Sequence, residues 1–120
     1  MPRKVFNSFR FAFRGLQTVW REENNFRIEI LIALIFSFVM FYFHFSVVEL
    51  ALGFLAIIVV LTSEIINTAI EDLCNKIEPH HDSKIGKIKD TVGAFVLVAV
   101  VGAVIVGVLI FYHHFFIVQF

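Results

Sequence analysis

Cysteine occurs once in the chain, at Cys74, which excludes an internal disulfide and a cysteine-built metal cluster and leaves that residue as a small packing group. Acidic residues are missing from the first 21 positions, and lysine and arginine are missing from the turn around His44 to Glu49 and from the tail after Tyr112. The stretch Thr91 to Tyr112 has no charge of either sign. There is no internal repeat, no low-complexity linker and no composition break that would mark a second domain, so residues 1–120 read as one unit. A Gly-rich phosphate loop of the Walker type is also absent, so any nucleotide site has to be assembled from helix ends. No cleaved leader is expected, because the first apolar run begins only after 27 mostly polar or amphipathic residues and has no small-residue cleavage pattern.

What fills the chain is hydrocarbon. Hydrophobic residues make up 59% of it and the mean hydropathy is +0.87, more than a soluble core of this size requires. Three apolar stretches are long enough to cross a bilayer, and the last, at about 1.5 Å per residue, reaches roughly 33 Å. The expectation is an all-α integral membrane protein: a surface helix over residues 1–21 and spanning helices over about 28–48, 50–71 and 91–112, gathered into an oligomeric bundle. Arg3, Lys4, Arg10, Arg14, Arg21 and Arg27 precede the first span, and Lys76, Lys84, Lys87 and Lys89 lie between the second and third. The positive-inside bias then predicts a cytoplasmic N-terminus and long loop, with the short turn and C-terminus outside.

Phe6, Phe9, Phe13, Leu16 and Trp20 recur at steps of three and four, opposite Arg3, Asn7, Arg10, Arg14, Gln17 and Arg21. That pattern predicts a helix lying in the membrane interface with its cations toward anionic lipid. A nucleic-acid-binding helix would need a wider basic footprint, so no nucleic-acid partner is expected. Glu22 to Asn25 should break this helix from the first span, and Pro79 should end the second. In the third span Ala99, Ala103 and Gly107, with Gly93 and Gly102 nearby, form a small-residue surface on which another helix can pack closely.

The chemically informative segment is Glu64-Ile-Ile-Asn-Thr-Ala-Ile-Glu71. At 100° per residue Glu64, Asn67, Thr68 and Glu71 share one face, which Asn75 and Glu78 extend. An ionised carboxylate facing lipid near the bilayer centre costs about 2.5 to 3.5 kcal/mol, so the stripe should face protein, metal or water. Glu23 and Glu29 bracket the entry to the first span and Lys89-Asp90 abut the third, placing these groups at one membrane level. Magnesium is often held through only one or two carboxylates, which Glu23 and Glu71 can supply. Another carboxylate can take a hydroxyl proton, and a lysine can neutralise a transferring phosphoryl group. A noncatalytic oligomeric channel or ion-translocating subunit, using the Glu64 to Glu71 stripe as its pathway, is the alternative reading.

These residues resemble the prokaryotic diacylglycerol kinase family, which includes the undecaprenol kinases. The likeness covers nearly the whole chain. It is carried by Arg14-Gly15-Leu16, by Glu23 with Asn25-Phe26-Arg27 and Glu29, by the segment Glu64 to Glu71, and by Lys89-Asp90 eighteen residues after Glu71. The resemblance implies a small homotrimeric lipid kinase of the bacterial inner membrane, with sites between subunits, that uses ATP and Mg2+ in phospholipid or lipid-carrier metabolism. It makes Glu64 the catalytic base and Glu23 and Glu71 the metal ligands. Asn67, Lys89 and Asp90 become nucleotide contacts, with Lys4 at the position of a basic one. Arg14, Glu29, Glu64 and Gly93 are placed toward the lipid substrate.

The loop Glu78-Pro-His-His-Asp-Ser-Lys-Ile-Gly-Lys-Ile-Lys-Asp90 is less acidic than in the best-known diacylglycerol kinases and looks nearer to the undecaprenol kinase branch. By position His80, His81 and Asp82 are nucleotide contacts, and their alternative is a solvated loop. His113 and His114 are expected at the outer interface.

Overall fold

The computed structural model describes residues 2–117. It contains four helices: α1 (Pro2–Glu22), α2 (Asn24–Tyr42), α3 (Val47–Ile77) and α4 (Ser83–Tyr112), the last running into a π-helical turn, His113–Ile117. No strand occurs among the described residues. The segments beginning at Asn24, Val47 and Ser83 are all long and apolar enough to cross a membrane. The chain is thus an all-α integral membrane protein with an amphipathic helix ahead of three spans.

The helices differ from the apolar stretches in their bounds, for reasons of local chemistry. α2 stops at Tyr42 instead of continuing to Val48, because His44 takes a left-handed backbone (φ 55°). Its N–H bonds Phe41 O and that of Phe45 bonds Met40 O, and together these close the helix C-terminus and turn the chain. α3 then starts on a reciprocal cap. Ser46 Oγ accepts from Glu49 N at 3.2 Å, and Ser46 N donates to Glu49 Oε1 at 2.7 Å. α4 begins eight residues before its apolar stretch, because Asp82 Oδ2 caps it by accepting from the N–H groups of Lys84 and Ile85, each at 3.0 Å. The break between α1 and α2 falls at Glu23, inside the expected polar segment.

α3 and α4 form the most extensive pair, α2 leans on α3, and α1 touches α2 and α3 only. At the end carrying the α2–α3 turn, Met40, Phe45 and Ile110 make a buried knot, backed by Phe36, Phe54, Phe111 and Phe115. Gly53 lets Met40 in: a Cβ there would lie 2.6 Å from Met40 Sδ and 3.2 Å from the Phe36 ring. Ala99 is buried in the α4 interface, while Ala103 and Gly107 line a groove of about 450 Å³ shared with α2 and α3, into which Glu29 also faces. Gly93 and Gly102 lie open. Most large apolar side chains point outward, including Phe6, Phe9, Phe13, Leu16 and Trp20 of α1, as suits a chain whose surroundings are hydrocarbon or other subunits.

Candidate functional site

All ten lysines and arginines, and every aspartate and glutamate except Glu49, belong to α1, to the start of α2, to the end of α3, to the loop or to the start of α4. The antiparallel path of the spans brings these segments to one end of the molecule. α3 supplies the centre of that end. Glu64 is 4% exposed and Thr68 3%, so a single chain already hides the middle of its polar stripe. Thr68 Oγ1 donates to Glu64 O at 3.0 Å, a bond that returns the hydroxyl to its own helix and leaves the Glu64 carboxylate free of it.

α2 brings Glu29 beside Glu64, close enough for the two carboxyl groups to interact directly, and Glu29 Oε2 is shut from solvent without a hydrogen-bond partner. Asn67 Oδ1 is likewise enclosed and unpaired. Glu29 and Asn67 thus add two enclosed polar oxygens beside the buried acid Glu64.

Glu23, at the α1–α2 break, faces the same region. Its carboxyl is pushed above the ordinary value, first by loss of water and then by the negative charges of Glu71, Glu64, Asp72 and Glu22. Among the described residues no lysine or arginine forms an ion pair with any of these acids. Nor do three or more acids, histidines or cysteines form a ready cage for a metal. An uncompensated carboxylate cluster of this kind fits a magnesium ion held by one or two protein oxygens, with the remainder from phosphate and water. Glu71 belongs to this cluster with Glu23, its charge being the largest influence on that carboxyl after burial.

α4 contributes Lys89, whose Nζ donates to Asn75 Oδ1 of α3 at 2.6 Å. Asn75 extends the polar face of α3 in the sequence, but its pairing with Lys89 spans fourteen residues and no local pattern announces it. Asp90 is exposed beside Lys89.

The remaining expected residues stand apart. Lys4 and Arg14 are exposed on α1, and the Arg14 guanidinium lies over the Phe11 ring at 5.6 Å. Gly93 is open on α4. His80 and His81 are exposed, with His80 N donating to Glu78 Oε1 at 3.1 Å, and the Asp82 carboxylate is engaged in capping α4. Among the described residues no hydrogen bond or ion pair joins Lys4, Arg14, His80, His81 or Asp82 to the carboxylates.

With buried acid, enclosed acceptors and apposed lysine assembled at one end of three spans, the comparison with known proteins is decisive. Residues 10–111 match the prokaryotic diacylglycerol kinase family. The chain belongs to that family.

Among prokaryotic diacylglycerol kinase relatives, the diacylglycerol kinase of Haemophilus influenzae is 27% identical over 109 residues, covering 89% of this chain and 92% of its own. That of Escherichia coli is 26% identical over 112 residues, covering 93% and 92%. The undecaprenol kinase of Bacillus subtilis is 32% identical over 108 residues, covering 90% and 88%. The family is one of lipid kinases, and the polar end is where its phosphoryl-transfer groups are to be sought.

Proposed function

We propose that the protein is an ATP-dependent lipid kinase, moving the terminal phosphoryl group of ATP to the primary hydroxyl of diacylglycerol or undecaprenol. The observation that carries this reading is Glu64, buried at 4% exposure on a helix whose same face carries Asn67 and Glu71, in a chain of the diacylglycerol kinase family.

In this reading Glu64 takes the proton of the lipid hydroxyl as its oxygen attacks phosphorus, while the bond to ADP breaks. Glu29, packed beside Glu64, orients the hydroxyl, and Asn67 offers its enclosed oxygen to a donor on the bound substrates. Lys89, held by Asn75, sets a positive charge against the phosphate oxygens, and Asp90 lies beside it. Glu23 and Glu71 would hold magnesium, which when bound would add to the neutralisation of the nucleotide's charge. Positioning and charge compensation do most of the work, since the reacting groups need little covalent help.

Arg14 and Gly93 lie toward the lipid, and Lys4, His80, His81 and Asp82 toward the nucleotide, in a homotrimer whose sites are completed between subunits. The outward-facing apolar surfaces of α2 and α4 support such assembly. Trimers mixed from subunits disabled at different site residues should recover activity if sites are shared. The concentration of all lysines and arginines at the polar end favours a bacterial cytoplasmic membrane location with that end, and the N-terminus, inside.

The test is phosphoryl transfer by purified protein in mixed lipid–detergent micelles with magnesium and labelled ATP, offering diacylglycerol and undecaprenol side by side. Labelled lipid with one acceptor strongly preferred is expected. Ion flux in vesicles without labelled lipid would replace the kinase with a channel.

A further inference from the structure

The end of the molecule opposite the carboxylate cluster carries a single formally charged side chain, Glu49, and it is 4% exposed. Two consecutive residues reach it from across the bundle. His113 Nδ1 lies 3.2 Å from Glu49 Oε2, and His114 Nδ1 lies 3.1 Å from Glu49 Oε1. Adjacent side chains on an α-helix diverge by about 100°. The π-helical turn that begins at His113 takes more residues per turn, narrows that divergence and lets both rings face one carboxylate. The His114 ring is stacked on Phe45 at 4.0 Å between centroids and 18° between planes, so its orientation is held by packing as well as by polar contacts.

The hydrogen-bond partners around His114 fix how many protons the cluster holds. His114 Nε2 lies 2.9 Å from Phe43 O, which can only accept, so Nε2 carries a hydrogen. In a neutral imidazole Nδ1 would then be a bare lone pair, facing a carboxylate oxygen that is already accepting from Ser46 N at 2.7 Å. Two acceptors at 3.1 Å in a buried setting repel. His113 needs no such help: as a neutral ring it donates Nδ1–H to Oε2.

The geometry points to one extra proton, taken from solvent and shared between His114 Nδ1 and Glu49 Oε1, as a latch that fastens the start of α3 to the end of α4. With it the pair is electrically neutral, and every polar atom facing Glu49 and His114 is satisfied. When the proton leaves to solvent the cluster carries a buried negative charge, and its shortest contact between helices becomes repulsive. The groups facing the pair are few: His113 from the π-helical turn, the Ser46 amide and Glu49 itself from α3, and the Phe43 carbonyl from the α2–α3 turn. His44 is exposed in that turn, and Tyr112 is exposed at the end of α4. No lysine, arginine or other acid occurs between Thr91 and Phe120 or between Ile30 and Ser63 apart from Glu49.

The sign of the pH dependence follows. The latch exists only while that proton is held, so it is present at lower pH and lost as pH rises. It lies about 22 Å along α3 from Glu64, fifteen residues away at about 1.5 Å each, and so links the pH on the far side of the bilayer to the pairing of the helices that carry the site.

The experiment measures thermal unfolding of the full chain in detergent, at about pH 6 and about pH 9 to bracket ordinary imidazole titration, with nitrogen NMR of the histidine rings. The wild type is expected to lose several degrees of unfolding midpoint on going to the higher pH, and the ring of His114 to show hydrogen at both nitrogens at the lower one. Glu49→Gln should fold and show a smaller pH-dependent drop, because it removes the negative charge that holds the proton on His114. His114→Phe, which keeps the stack on Phe45, should shrink it as well, whereas His44→Phe should leave it at the wild-type size. A drop as large as the wild type's in both Glu49→Gln and His114→Phe overturns the latch. So does an unprotonated Nδ1 at the lower pH, or a stoichiometric metal ion released by Glu49→Gln.

Discussion

Lys89 Nζ donates to Asn75 Oδ1 at 2.6 Å, tying the first turns of α4 to the last turns of α3 at the polar end of the bundle. The lysine assigned to the phosphates is thus held by a neutral acceptor and not by one of the nearby acids. Its charge remains uncompensated and available to the nucleotide. Asn75→Ala should raise the KM for ATP about tenfold, corresponding to about 1.4 kcal/mol, the scale of a hydrogen bond to a charged group. Lys89→Met should cost more than Asn75→Ala. Steady-state kinetics with varied ATP check this, and an unchanged KM in Asn75→Ala would remove Asn75 from the account.

Glu23 provides a pH prediction. Burial, followed by the charges of Glu71, Glu64, Asp72 and Glu22, raises its carboxyl, so the folded chain holds this proton more tightly than the unfolded chain. Its contribution disfavours folding above the raised value. That penalty is relieved as pH falls through it and is gone below the ordinary carboxylate range. In the metal-free protein Glu23→Gln should therefore raise the unfolding midpoint at neutral pH and have no such effect in acid. Magnesium–nucleotide binding, which requires the ionised form, should weaken as pH falls through the same range in the wild type. Calorimetry in two buffers of different ionisation enthalpy would detect the proton released on binding.

At Gly53 the prediction concerns packing. An added Cβ would meet Met40 Sδ at 2.6 Å, and Met40 has no exposed surface into which to retreat. Gly53→Ala should destabilise the chain by about 1–3 kcal/mol through overpacking, and Gly53→Val by more. Combining Gly53→Ala with Met40→Ala should return part of the loss. Unfolding in a graded denaturing detergent measures each variant.

The three spans, the surface helix and the Glu64 to Glu71 face were legible because each rests on local periodicity: uninterrupted apolar runs for the spans, steps of three and four for the stripes. Helix ends were less so. The cap at Ser46 is written locally as serine followed three residues later by Glu49, and was there to be found, whereas the left-handed His44 that ends α2 has no glycine or asparagine to announce it. Contacts between distant elements were illegible. The Lys89–Asn75 bond, the approach of Glu29 to Glu64 and the convergence of His113 and His114 on Glu49 depend on how α2, α3 and α4 register against one another, and single-helix patterns carry no such register. His114 was expected as an interfacial ring; its stack on Phe45 and its contact with Glu49 give it a specific structural place.

The central claim is that the buried acid of α3 takes the proton of a lipid alcohol, and the rate of phosphoryl transfer by Glu64→Gln tests it most directly. Measured at saturating ATP, magnesium and lipid, on protein whose helix content and oligomer elution match the wild type, that rate should fall by roughly 10²- to 10⁴-fold, the usual contribution of a general base. A rate within about twofold of wild type would contradict the assignment, because loss of a base of that strength cannot leave turnover so nearly intact.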